Sequence, residues 1–464
     1  MRAQPSSAAP GRRRFTRRGF LQTAALAGLS VPAFRPAFAH ATTPNSQLNH
    51  AAIGVGGMGW HDLNTLARHP RVRIAAVCDV DRLALDRTAQ AFPDARRYAD
   101  WRELLEAEAE RVDTVSVSVP DHMHFPIAYR AIERGKHVYC QKPMCHDVAE
   151  VRALTRAAGE RKVVTQLGTQ MASGPGERSA VQLLREGAVG RIKQVYLSAN
   201  RPGAVENYRL PGPRPDTGSP PPPELQWDWW LGTAPVRPYA SQLYHPTRWR
   251  AWQDFGTGWS GDIGCHLFDA VWKGLNLQPP REVVAEVQAS WKNSPARRAD
   301  TWPQGQHITW TFPGNALTAD KTLPVEWFDG DFYPPESIRA LYSVKDYPPE
   351  AALFLGTEGA LLLELGHAPI LLPEDKFEHL PRSKPAPRDH YHHFVDACLG
   401  LTQTESHFAQ TGPMTEAVLL GTVAVRVPDQ KLIWDPVQAR ITNHSAANSF
   451  LRRTYREGWR TGIF

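Results

Sequence analysis

In the stretch Gly261-Asp262-Ile263-Gly264-Cys265-His266-Leu267-Phe268-Asp269, a carboxylate stands four residues before an imidazole. On a helix the two share a face, so Asp262 can orient His266, whose ordinary pKa suits proton transfer near neutrality. Such a pair serves the proton half of an alcohol oxidation. Far upstream, the segment Gln141-Lys142-Pro143-Met144 offers a lysine to the same chemistry. Taken alone, the Asp262 turn fits a helix-capping aspartate and a satisfied histidine equally well. The upstream half of the chain decides between the readings.

From His50 onward, short β-branched runs alternate with helical patterns, the signature of a parallel sheet with crossover helices. Strands are expected at 51–55, 72–79, 112–119, 137–140 and 163–167, and helices at 59–68, 81–92, 101–108, 125–134 and 147–161. Between the first strand and first helix, Gly54-Val55-Gly56-Gly57-Met58-Gly59 is a GxGxxG in the context a dinucleotide requires. Gly54 permits the tight turn, Gly56 lets backbone approach a pyrophosphate, and Gly59 lets helix and strand pack closely. Asp79 closes the next strand about 20 residues later, where an acid bonds a ribose hydroxyl and repels a 2′-phosphate. NAD is therefore expected in preference to NADP, with Arg82 the one neighbouring feature that favours NADP. The run 112–119 ends in Pro120-Asp121-His122-Met123-His124, at the sheet edge where ligands lie, so His122 is expected at the cofactor or substrate. The two histidines have no acidic or cysteine partner at metal-ligand spacing, and no metal site is expected.

These motifs resemble the Gfo/Idh/MocA oxidoreductases, named for glucose-fructose oxidoreductase and inositol dehydrogenase. The resemblance runs from the GVGGMG turn through QKPM and GDIGCHLFD to Gly412-Pro413-Met414-Thr415-Glu416-Ala417, which reads as a helix start. It implies that Lys142 lies beside the nicotinamide, that Gln141 joins the cofactor contacts, and that Asp262 and His266 complete the catalytic group. Many members carry Glu where this chain has Gln141. The implied fold is α/β: an N-terminal Rossmann domain, then an α+β domain with an open, largely antiparallel sheet.

After Gly168 a helix is expected at 176–186 and a strand at 192–199, followed by a proline-rich excursion, 211–223, too donor-poor for a sheet. An aromatic group follows: Trp227, Trp229, Trp230, Tyr239, Tyr244, Trp249 and Trp252, mixed with Asp228, His245, Arg248 and Arg250. Flat rings edged by hydrogen-bonding groups suit a sugar, with its apolar CH faces and hydroxyl rim, and equally suit a buried sheet cover. Trp229, Tyr244 and Arg248 are taken as substrate residues, with His390 of Arg388-Asp389-His390-Tyr391-His392-His393 at the substrate rim. Further strands are expected at 283–291, 308–312, 323–328 and 361–364.

Composition is that of an ordinary soluble protein, with 42% hydrophobic and 22% charged residues. The formal charge of +6 comes from seven arginines within residues 1–39, a stretch without acids, and the rest of the chain is close to neutral. Nucleic-acid binding thus loses its main support. The apolar run 21–34 is too short and broken to anchor in a bilayer, and Ala37-Phe38-Ala39 suits cleavage. Thr16-Arg17-Arg18-Gly19-Phe20-Leu21-Gln22 resembles the twin-arginine export signal, which implies the export machinery as a partner and a periplasmic destination. Five cysteines without a CxxC pair argue for reduced thiols.

The expected organisation is a leader at 1–39, a nucleotide domain at 48–170 and a substrate domain at 171–464, assembled as a homo-oligomer. The expected activity is NAD-dependent oxidation or reduction at a secondary hydroxyl or ketone of a carbohydrate or polyol. Two alternatives stand beside it: a redox glycosidase that returns its cofactor oxidised, and a non-catalytic sugar-binding protein.

Overall fold

Six short strands form a parallel sheet: β1 (Leu48–Ile53), β2 (Val72–Cys78), β3 (Arg96–Tyr98), β4 (Thr114–Val117), β5 (His137–Cys140) and β6 (Thr165–Leu167), in the order β3-β2-β1-β4-β5-β6. The computed structural model describes residues 47–202, 214–342, 346–380, 385–460 and 462, so the expected leader lies outside the described residues. Five helices cross over between these strands: α1 (Gly57–Ala67), α2 (Arg82–Ala91), α3 (Trp101–Ala107), α4 (His124–Glu133) and α5 (Val148–Arg161). Helices cover both sheet faces, and the inner strands are accordingly buried on both sides; Ala51, Ala52, Val115, Val117 and Val138 are wholly buried. Asp81, Asp100 and Asp147 cap α2, α3 and α5 by accepting from backbone amides. Strand β3, the sequence Arg-Arg-Tyr, has no apolar pattern and was not legible in the sequence. Strand order reverses between β1 and β4, which opens a crevice at the carboxyl ends of those strands.

The second sheet has nine strands: β7 (Ile192–Ala199), β8 (Glu282–Val287), β9 (Gln306–Pro313), β10 (Thr322–Asp329), β11 (Glu350–Gly356), β12 (Ala360–Glu364), β13 (Ile370–Leu372), β14 (Leu432–Asp435) and β15 (Arg440–Ile441). They lie in the order β13-β12-β11-β7-β10-β9-β8-β14-β15, antiparallel except where β7 meets β10. Three helices, α6 (Pro175–Arg185), α7 (Gly258–Gly274) and, beyond α8 (His390–Cys398), α9 (Phe408–Arg426), pack together against this sheet. The strand expected at 283–291 stops at Val287, and Ala289–Lys292 is one helical turn. The helix start expected at Gly412 is instead interior to α9. Gly412 is there for a close crossing, since a Cβ would lie 2.2 Å from Thr155 Oγ1 on α5. Described residues 214–223 of the proline-rich excursion form no strand and are largely exposed.

The last third of the chain returns to the nucleotide half. Tyr391 on α8 stacks on Tyr139 and donates to Asp62 of α1 at 2.7 Å. Arg152 of α5 grips Glu416 of α9 through two bonds of 2.6 and 2.8 Å. The terminal segment supplies Arg453 and Tyr455, which donate to the buried Glu150 of α5 at 2.9 and 2.6 Å.

Candidate active site

The glycine loop lies in the β1–β4 crevice. Gly54 has φ +81°, and a Cβ there would stand 2.4 Å from Ser118 O; a Cβ at Gly59 would stand 2.0 Å from Gly54 O. Both positions require glycine. At Gly57 a Cβ would meet nothing within 4 Å, and α1 begins there with no side chain capping its amides. Open amides at a helix start on the switch point are what a pyrophosphate needs, so the loop fits a dinucleotide. Met58 stands exposed at the same turn. Asp79 closes β2 and accepts from Val55 N at 2.8 Å, Gly56 N at 3.1 Å and Asp81 N at 2.9 Å, so it braces the loop as well as marking the ribose position. Arg82 is turned outward, paired with Asp86 at 3.1 Å and Glu224 at 3.6 Å.

The proton-transfer residues converge from three segments. Helix α7 carries Asp262 and His266 one turn apart, and every residue of this helix except Lys273 is buried. Glycines let its neighbours approach: a Cβ at Gly264 would lie 3.1 Å from Val418 of α9. Lys142, from the loop after β5, donates to Asp262 Oδ1, and Arg250 Nε lies 3.2 Å from Oδ2. Asp262 is therefore held between two cations, one helical turn from His266, whose ring feels its charge. His266 Nδ1 is buried without a hydrogen-bond partner among the described residues. Burial, then the nearby Lys142 charge, pushes the His266 pKa down to about 3, so the ring is neutral at working pH.

Two further carboxylates, Asp121 and Glu350, belong to this centre and were not singled out from the sequence as site residues. Asp121 Oδ2 accepts from Thr257 N at 3.1 Å and Thr257 Oγ1 at 2.9 Å. Burial and the Asp262 charge hold its carboxyl above the usual range. Glu350, at the start of β11, pairs with Arg201 at 3.3 Å and feels the charges of Lys142 and Asp262. The motif Pro120-Asp121-His122 did signal a strand end at the crevice, but the residue that meets the site is Asp121.

The structure relocates several expected contacts. The His122 ring is wholly buried against Trp230 and Phe255, with Nε2 on Trp230 O at 3.1 Å, and is an interior group instead of a cofactor contact. His390 has both ring nitrogens engaged, Nδ1 with Ser173 Oγ at 2.8 Å and Nε2 with Leu167 O at 2.9 Å, so it anchors α8 and does not form a substrate rim. Tyr244 is fully buried, stacked with Trp227 and edge-on to Trp252 and Phe255, while Trp229 packs partly buried on the same core. These rings, with the guanidinium of Arg237 among them, are a packed core and not a sugar platform. Arg248 is exposed, and Arg250 is the arginine that reaches Asp262. Gln141 donates to the buried Asp62 at 2.9 and 3.1 Å, and its Oε1 accepts from Lys142 N at 3.3 Å. It thereby fixes the lysine loop from behind.

Residues 48–169 match the profile of an oxidoreductase family with an NAD-binding Rossmann fold, and residues 183–313 match the C-terminal alpha/beta domain of the same family. The chain is 24% identical over 245 residues to scyllo-inositol 2-dehydrogenase (NADP(+)) IolW of Bacillus subtilis, covering 52% of this chain and 56% of the relative. It is 30% identical over 104 residues to levoglucosan dehydrogenase of Pseudarthrobacter phenanthrenivorans, covering 22% of this chain and 26% of the relative. These matches thus span from a quarter to just over half of each curated relative's length. Among solved structures, the WlbA dehydrogenase of Chromobacterium violaceum in complex with NADH and UDP-GlcNAcA superposes with a TM-score of 0.59 at 15% identity, covering 85% of this chain and 98% of that one. That likeness is one of fold.

Proposed function

Because the chain belongs to the Gfo/Idh/MocA oxidoreductase family, we propose that it oxidises a secondary hydroxyl of a sugar, glycoside or polyol, or reduces the matching ketone, with NAD as the hydride carrier. The observation that carries this reading is the convergence of Lys142, Asp262 and His266 at the carboxyl edge of the sheet that bears the glycine loop. The amides of Gly57 to Gly59 would hold the pyrophosphate and Asp79 the ribose; bound there, NAD supplies a nicotinamide ring that accepts the hydride. His266, neutral and with a lone pair to offer, takes the hydroxyl proton. Lys142 carries the positive charge that stabilises oxygen as its proton leaves, and Asp262 fixes that ammonium in place with Arg250 as its second anchor. Burial of α7 keeps bulk water from these groups.

Lys142→Ala and His266→Ala should leave NAD affinity near that of the unmodified protein while lowering turnover by roughly 10²- to 10⁴-fold. The assay follows NADH formation across a panel of inositols, anhydrosugars and glycosides, with calorimetry for the cofactor. Near-full activity of either variant would overturn the residue roles. Bond cleavage in a glycoside without net NADH would instead favour transient oxidation with the cofactor returned.

We also place this chemistry outside the inner membrane, on the strength of the arginine-rich leader at 1–39. Arg17→Lys combined with Arg18→Lys should retain the protein in the cytoplasmic fraction; undiminished export of that variant would remove the assignment.

A further inference from the structure

A second cavity, of about 200 Å³, lies apart from the Lys142–Asp262 centre, between the start of α5, the end of α9 and the terminal segment. Its wall includes Thr422, which backs onto Gly261 of α7. The chemistry of the lining is cationic. Arg426 ends α9 with its guanidinium between the rings of Trp302, at 4.8 Å, and Phe450, at 5.1 Å. Its Nε is buried without a hydrogen-bond partner among the described residues, and the charges of Asp147 and Asp254 act on it from the same lining. His146 is 93% buried, lines the same cavity, and has Nε2 without a partner. Arg452 stands at the exposed rim.

The two carboxylates in the lining are already committed. Asp254 pairs with Arg237, and Asp147 accepts from Glu150 N at 2.9 Å and Arg453 N at 3.1 Å. Arg453, in turn, is held by Glu150 at 2.9 Å. The cavity therefore keeps one buried donor, Arg426 Nε, without an acceptor among the described residues, beside the neutral His146 ring, which gives its proton to the Gln253 carbonyl and turns a lone pair to the cavity. Burying a donor in this way costs free energy that a ligand acceptor returns. Aromatic walls fix the Arg426 fork in one orientation, which lowers the ordering cost of binding a planar or tetrahedral oxyanion.

We propose that this cavity is a binding site for a phosphate-sized oxyanion, free phosphate or the phosphate end of a small monoester, held by Arg426 and Arg452, with His146 Nε2 placed to accept from a phosphate hydroxyl. The site is independent of the redox reading. It ties the end of α9, the start of α5 and the chain terminus together, so its occupant would stabilise the packing behind α7.

The test is calorimetric titration of the full chain with inorganic phosphate and, separately, glycerol phosphate, under saturating NAD so that the glycine loop is already filled. Binding of phosphate alone assigns a free-anion site, and binding of both admits a monoester; either supports the proposal. Arg426→Gln should weaken phosphate by about tenfold or more with NAD affinity unchanged. Since Arg426 also packs between rings, Arg452→Gln at the exposed rim serves as the second variant and should weaken binding by about threefold. Absence of binding by both probes, or an affinity unchanged in the folded variants, overturns the proposal.

Discussion

Asp79 has two duties that its position in the sequence revealed only in part. Its place at the end of β2 pointed to a ribose contact, but its carboxylate also accepts from Val55 N and Gly56 N and so holds the glycine loop in shape. Charge and acceptor can be separated. Asp79→Asn keeps one acceptor for the loop while removing the repulsion of a 2′-phosphate; NAD affinity should stay within about threefold while discrimination against NADP shrinks. Asp79→Ala removes both and should weaken NAD itself by about tenfold. Calorimetry with both nucleotides checks this, and equal affinities in the unmodified protein would sink the assignment. At this scale, residues fixed by motif were legible: Lys142, Asp262 and His266 do meet. Residues chosen by type alone were not. Histidines 122 and 390 read as ligands because imidazole is polar, yet each bonds to a backbone carbonyl in the interior. Choosing Arg248 over Arg250 was an error of register inside a one-turn helix, Arg248–Ala251, which no periodicity in the sequence resolves.

Some elements with a full period were legible to the residue, as with β7, which spans Ile192–Ala199 as expected, whereas α9 begins four residues before the expected Gly412 and β8 stops four residues short of 291. Those shorter than a period, β3 and β13, were not, and β11 was missed because Glu350 and the alanines after it interrupt its apolar run. What no pattern could reveal is the use of glycine for crossings between elements. At Gly421 of α9 a Cβ would lie 2.3 Å from Cζ2 of Trp310, whose indole is fixed by a 2.8 Å bond to Ala417 O. Gly421→Ala should therefore cost about 1–3 kcal/mol through overpacking. Gly159 in α5 is the control, since a Cβ there meets nothing within 4 Å. Gly159→Ala should add about 0.5–1 kcal/mol by the ordinary helix preference. Urea midpoints of the two variants should move in opposite directions; a shared direction would mean that α9 can shift away from its sheet.

For the molecule as a whole, the division into a nucleotide half and a substrate half describes the sheets better than it describes the chain. Helix α8 lies against α1, α9 against α5, and the terminal segment against Glu150. Breaking a buried pair such as Arg453 with Glu150 leaves an uncompensated charge, commonly a loss of about 3–5 kcal/mol. Glu150 and Arg453 are 303 residues apart. At about 5–20 residues per second, a ribosome that has just made Glu150 needs on the order of 15–60 seconds to deliver its counter-ion. Through that interval the nascent nucleotide half carries a carboxylate whose partners are reduced to the His146 amide, at 2.9 Å in the finished fold. Its final stability therefore arrives only once Arg453 and Tyr455 have been made, and a chain cut before residue 453 would never attain it. A check that synthesis has passed residue 455 is thus built into the contact of Arg453 and Tyr455 with the first sheet's last crossover helix.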